Sequence, residues 1–201
     1  MIISYQDPLF ARPTRRMMIF ADGENLVFRF QEMIKQGFVQ HDGVLHRQDS
    51  YVWTSGFSHL ALQHEILRAT YYTYAIGDAA KMSQVKAELQ QLTFLKHMAS
   101  RLPNNLTPHV FKKENRSRSG KGVDIQLCVD VLTHVYRKNV DSVLLLSGDG
   151  DYVPLLQEVR RAGVLVYLSA FSSGFNPVLR EHADDVYELD GTTWLRKPGE
   201  A

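Results

Sequence analysis

The sequence predicts a doubly wound α/β fold: a three-layer α/β/α sandwich around a central, mainly parallel sheet. Three observations carry this. Short apolar runs alternate with helix-periodic segments along most of the chain, an order that builds parallel sheets through right-handed crossovers. The strongest runs are continuously apolar, as in strands buried on both faces. No internal repeat or low-complexity segment points to another architecture.

Met17 to Ala21 (MMIFA) is a buried strand that ends in Asp-Gly. Glu24 to Gln36 follows as a helix stopped by Gly37. Residues 38–60 are less regular. His41-Asp-Gly43, between short alternating runs, predicts the turn of a small hairpin. Tyr51, Trp53 and Phe57 in this segment are read as core aromatics.

Ala69 to Ala75 (ATYYTYA) has the Tyr and Thr content of a strand. From Ala79 to Arg101, Met82, Val85, Leu89, Leu92 and Leu95 recur at steps of three and four, which predicts an amphipathic helix ended by Pro103. His109 to Lys113 is a short strand. A polar, basic loop then leads into Val123–Arg137, a nearly all-apolar helix.

Ser142 to Gly148 (SVLLLSG) is the clearest strand in the chain. Asp151 to Ala162 is a helix, with Gly163 just past its end. Residues 164–170 form a strand, 176–183 a short helix with Pro177 near its start, and 185–190 a last strand. The expected organisation is an N-terminal extension (1–15), one domain (16–190) in which 38–60 is an inserted excursion, and a C-terminal tail (191–201).

A chain of 201 residues buries a sizeable core without disulfides. Its one cysteine, Cys128, lies in an apolar run and reads as a small hydrophobe. A reducing compartment and a cytoplasmic location are expected. No apolar stretch approaches the roughly 20 residues that span a bilayer, and the first sixteen residues lack the order of a secretory leader. The formal charge is +1, which excludes coating nucleic acid by bulk charge. An anionic partner has to be met by a local patch.

In doubly wound sheets, ligands bind beyond the carboxyl ends of the strands where strand order reverses. Asp22 directly follows the first strand, and Asp149 and Asp151 follow SVLLL. If those strands are neighbours, three carboxylates converge, and Asp124 at a helix start is the next candidate. Each acid alone has an ordinary role as a turn residue or helix cap. Together they point to a site. At 4 Å, a like-charge pair costs about 1 kcal/mol in water and about 4 at an effective dielectric near 20. Protons or a cation must therefore neutralise the cluster. Oxygen ligands suit Mg²⁺ or Mn²⁺ rather than Zn²⁺.

The residues Phe20-Ala-Asp-Gly-Glu-Asn-Leu26, Lys121-Gly-Val-Asp-Ile125 and Leu146-Ser-Gly-Asp-Gly-Asp-Tyr152 resemble, in order, three motifs of NYN domains, a branch of the PIN-like nuclease superfamily. Leu179 to Leu189 resembles the family's closing helix and strand, so the likeness spans about residues 16–190. It implies a PIN-like α/β/α sandwich and a metal-dependent endoribonuclease using Mg²⁺ or Mn²⁺. It also implies that Asp22, Asp124, Asp149 and Asp151 are the acidic ligands. Asn25 and Ser147 match polar positions that orient ligands or bind phosphate, and Lys121 matches a basic position able to meet phosphate. Asp130 matches a recurrent acid. It lies about 240° around the helix from Asp124, which places it behind the ligands rather than among them. Tyr152 stands where Phe is common. The segment 38–60 has no counterpart in this likeness.

The loop Lys112–Lys121 holds five basic residues and one acid immediately before Asp124. Arg116, Arg118 and Lys121 are expected to contact the RNA backbone. The eight histidines lack zinc-site spacing, and phosphate-loop and dinucleotide fingerprints are missing. The residues after Asp149-Gly-Asp151 do not complete a calcium loop. No GxSxG elbow surrounds Ser147.

The expected partner is single-stranded or loop RNA, with DNA an alternative because nothing in the sequence reads a 2′-hydroxyl. Two other classes compete: an RNA-binding or scaffolding NYN domain without turnover, and a phosphodiesterase or phosphatase acting on small nucleotides. The oligomeric state is open, a homodimer included.

Overall fold

The structure, a computed structural model, describes residues 15–94, 104–113 and 121–199. The chain enters at the middle of its sheet. β1 (Arg16–Asp22) pairs in parallel with β5 (Glu65–Ile76) on one side and β7 (Ser142–Leu146) on the other. β6 (Thr107–Lys113) lies beyond β5, and β8 (Leu165–Ala170) and β9 (Asp185–Glu188) lie beyond β7. The order is β6–β5–β1–β7–β8–β9, and every neighbouring pair is parallel. The chain builds outward from β1 in one direction, then returns to build outward in the other. That reversal opens a crevice at the carboxyl ends of β1 and β7.

Successive side chains of a strand point to opposite faces, and β1 feeds two cores. Met17, Ile19 and Ala21 pack with α1 (Gly23–Lys35) and α2 (Ala79–Leu89). Met18 and Phe20 pack with α3 (Lys121–Tyr136) and α4 (Val153–Arg161). Each fully buried Leu, Phe or Met there contributes about 1.5–3 kcal/mol. On α3, Val123, Leu127, Val131 and Val135 recur every fourth residue and form the buried stripe. Cys128 packs beside it, and burial pushes its thiol up to about 11, so it behaves as the expected small hydrophobe.

Three local expectations are corrected. The helix predicted over 79–101 ends at Leu89. Beyond it the backbone turns extended: Phe94 N–H donates to Asn104, and Leu106 N–H to Leu92, across a Thr93–Asn105 bridge. Leu92 and Phe94 still reach the core, but not from a helix. Leu95 lies outside the described residues.

The hairpin forms elsewhere. β3 (Leu45–Arg47) pairs with β4 (Tyr51–Trp53) around a turn at 48–50. Asp49 adopts φ 55° there, a conformation Asp tolerates better than most residues. The turn at His41–Val44 instead joins β3 to β2 (Val39–Gln40), and those two strands have different partners. Trp53 and Phe57 are buried in the core, as expected of aromatics in 38–60.

The segment from 190 to 196, most of it expected to be tail, is part of the packed structure. α5 (Asp190–Thr193) precedes β10 (Trp194–Arg196), which pairs with β2. Trp194 is buried and stacks on Phe30 with ring centroids 5.0 Å apart. Among the described residues, no helix is long and apolar enough to cross a membrane.

Candidate active site

β1 and β7 are neighbours, in a register that pairs Ala21 with Leu146. Asp22 and Ser147, the next residue along each chain, therefore meet at the strand ends. Ser147 Oγ donates to Asp22 Oδ2 at 2.9 Å. The N–H of Asn25 donates to Asp22 Oδ1 at 3.1 Å, which caps α1. Gly23 lets the helix start this close to the sheet. A side-chain carbon there would stand 2.4 Å from the Tyr71 ring and 2.6 Å from the Tyr72 carbonyl.

Around this pair runs a chain of polar contacts. Asn25 Oδ1 accepts from Gly148 N–H at 3.2 Å. Ser147 Oγ accepts from Asp149 N–H at 3.2 Å. Asp149 Oδ1 accepts from Asp151 N–H at 3.0 Å, starting a 3-10 turn over Gly150–Tyr152. Across the crevice, Tyr152 donates its hydroxyl to Asp124 Oδ1 at 3.3 Å. Asp22, Asp124, Asp149 and Asp151 thus line one cleft of about 560 Å³, with Asn25 beside them. Asp22 is buried, and the other three are exposed.

Helix capping does not account for Asp22. A Ser or Asn would cap α1 without burying a charge. Burial pushes its carboxyl up to about 7, against the hydrogen bonds from Asn25 and Ser147 and with help from Asp124 and Asp149. Asp124 is also raised, by desolvation first, then by Glu24, Asp149 and Asp151, while the Tyr152 hydrogen bond opposes this. Perturbed acids gathered in a cleft mark functional sites more often than structural ones. The donor set is all oxygen and fits a hard divalent cation. Among the described residues, no three carboxylate, imidazole or thiol groups already close around one point as a metal cage.

Other expected residues stand further off. Asp130 accepts from the Tyr72 hydroxyl at 2.7 Å and from Gln126 at 2.8 Å, with His109 at 3.8 Å. None of these contacts is with the four aspartates. Lys121 begins α3, three residues before Asp124. Its side chain, and Arg116 and Arg118, lie outside the described residues.

The cleft also holds residues that the sequence reading left out: Glu24, Phe28, Arg29 and Lys113. Lys113 Nζ donates to Glu24 Oε1 and lies 4.8 Å over the Tyr74 ring. A signal existed for two of them. Glu24 sits inside the Asp-Gly-Glu-Asn motif, and Lys113 ends β6 on the same carboxyl-end side of the sheet as Asp22.

Comparison with known proteins agrees with this architecture. A structure of a protein of unknown function, VPA0982 from Vibrio parahaemolyticus, superposes with a TM-score of 0.61 at 19% identity, over 90% of this chain and 97% of that one. That likeness shows the fold, a six-stranded parallel sheet flanked by helices and consistent with a PIN-like domain. The uncharacterised protein MJ0482 of Methanocaldococcus jannaschii is 27% identical over 71 residues, which is 35% of this chain and only 30% of that protein. The profile of the NYN domain matches residues 16–190. With that match spanning nearly the whole chain, this protein belongs to the NYN domain family, whose members are typically nucleases.

Proposed function

We propose that the chain is a divalent-metal-dependent endoribonuclease. The observation that carries this reading is the buried Asp22, facing Asp124, Asp149 and Asp151 in a cleft at the sheet's switch point. Desolvated and crowded by like charge, Asp22 and Asp124 hold protons more tightly than usual. A cation relieves that penalty, and Mg²⁺ or Mn²⁺ fits an all-oxygen donor set. The four aspartates would hold the ion. When bound, it supplies charge neutralisation at the phosphate and activation of water for attack at phosphorus.

The chain's own residues do the rest. Ser147 and the Asn25 N–H fix both oxygens of Asp22, so that carboxylate is oriented before any ligand arrives. Tyr152 holds Asp124 from the opposite wall. Burial keeps the Tyr152 phenol protonated, so it acts as a donor and not as a base. Lys113 places a positive charge in the cleft. Lys121, at the start of α3, and Arg116 and Arg118 in the basic segment before it are assigned to the RNA backbone. RNA, in single-stranded or loop form, is the proposed partner, and the domain is assigned to residues 16–190 with 190–196 packed against it.

The test is incubation of the purified chain with end-labelled single-stranded RNA in Mg²⁺, Mn²⁺ or EDTA, beside an Asp149→Asn variant. Cutting in either metal, lost in EDTA and in the variant, is the expected result. Tight RNA binding without cutting would replace this reading with a binding module.

A further inference from the structure

We infer that Phe28 and Arg29, adjacent on α1, form a nucleotide subsite at the rim of the carboxylate cleft, with Arg29 taking a backbone phosphate and Phe28 stacking an unpaired base. The inference rests on the nuclease reading only for where the scissile bond lies.

Arg29 lines the cleft, yet among the described residues no carboxylate pairs with it. Other cations nearby are paired: Lys113 with Glu24, and Lys35 with Glu32. The Nε of Arg29 is buried and has no hydrogen-bond partner among the described residues. A buried donor left unsatisfied is costly, and a planar guanidinium is the group best matched to a phosphate.

The guanidinium is seated. It packs against Gly174, where a side-chain carbon would fall 1.9 Å from Arg29 Cζ. Gly174 also has φ 69°, in the left-handed region that favours glycine. Arg29 Cζ lies 5.2 Å from the centre of the Phe28 ring, a cation–π distance.

Phe28 is 54% exposed, and Ile76, which also lines the cleft, is 38% exposed. A lone exposed apolar residue is ordinary. Here the ring leans on a guanidinium without a carboxylate partner and borders a cleft lined by acids. A base laid on such a ring has to be free of its neighbours in a helix. The subsite therefore selects single strands over duplexes.

The test is binding rather than cutting, so that it stands apart from the nuclease reading. Fluorescence anisotropy would follow a short labelled oligoribonucleotide and its duplex, titrated with the full chain in EDTA and in Ca²⁺. Phe28→Ala is expected to weaken single-strand affinity about 5- to 150-fold, with the salt slope unchanged and Phe28→Trp restoring binding. Arg29→Gln is expected to lower the salt slope by about 0.7, and Arg29→Lys to keep that slope.

Unchanged affinity in both Phe28→Ala and Arg29→Gln would overturn the subsite, even if cleavage were intact. Equal loss of single-strand and duplex binding in Phe28→Ala would overturn the stacking, and no measurable binding by the parent chain would overturn the whole proposal. Binding that depends on Phe28 and Arg29 in a chain that never cuts would support the subsite and remove the nuclease reading.

Discussion

Ser147 donates a 2.9 Å hydrogen bond to Oδ2 of Asp22, joining the carboxyl ends of β7 and β1 at the base of the cleft. The same oxygen of Ser147 accepts from the N–H of Asp149. One hydroxyl therefore links an acid of the first motif to an acid of the third. Its position explains how residues 125 apart in sequence come to act on one carboxylate.

Asp22→Asn is expected to stabilise the metal-free protein at neutral pH. The carboxyl is pushed up to about 7 in the fold by burial, from about 3.9 in an unfolded chain. Stability from this group is complete below about pH 4, falls as pH rises, and is lost once pH passes about 7. The difference is on the order of 4 kcal/mol. Urea unfolding in EDTA at pH 5 and pH 8 checks it. The variant should lose most of the parent's decline, and a parent of equal stability at both pH values would contradict the account.

Ser147→Ala removes a donor from Asp22 and leaves the Asp149 N–H without its acceptor. The Asp22 carboxyl should rise further, and stability should fall by about 1–3 kcal/mol. The loss should be larger at pH 8, where Asp22 is charged. If the variant cuts RNA, the acidic limb of its pH–rate profile should move to higher pH. An unmoved limb would detach Ser147 from Asp22 in the mechanism.

Divalent metal should stabilise the fold by mass action, about 2.7 kcal/mol at a hundred times the dissociation constant. Proton and ion compete for the same carboxylates, so this gain should shrink as pH falls below about 7. Thermal unfolding with Mn²⁺ and with EDTA, in the parent and in Asp22→Asn, measures it. A gain of equal size in the variant would place the ion elsewhere.

Trp194→Ala should cost about 3–5 kcal/mol. The indole is 5% exposed and stacks on Phe30 at an interplanar angle of 14°. Its Nε1 makes no hydrogen bond among the described residues, so the loss is one of packing. A cost below about 1 kcal/mol in urea unfolding would mean that the 190–196 segment is not docked in solution.

The sheet and its acids were legible because each rests on local signals. β1 and β7 are continuous apolar runs that stop at Asp22 and just before Ser147, and the topology rule then locates the crevice. What failed were features decided by distant partners. The helical period of α2 continues through Leu92, but pairing of Thr93 with Asn105 takes that stretch for a ladder. Asp42-Gly43 looks like a hairpin turn, while the real one forms at Gln48–Ser50 because Leu45 and Trp53 pair there. Trp194 carries no periodic neighbours to reveal it, and only the docking of β10 on β2 makes it core. Phe28 and Arg29 fall inside the predicted helix Glu24–Gln36 and carry no signal of their own. Only the fold shows that they border the acids.

Internal cleavage is tested by incubating the full chain with a covalently closed circle of single-stranded RNA in Mg²⁺ or Mn²⁺. A circle has no ends, so only an internal cut linearises it. Linear product that requires the metal and disappears in Asp22→Asn is the predicted result. An intact circle in both metals, with the folded protein bound to it, would contradict the assignment.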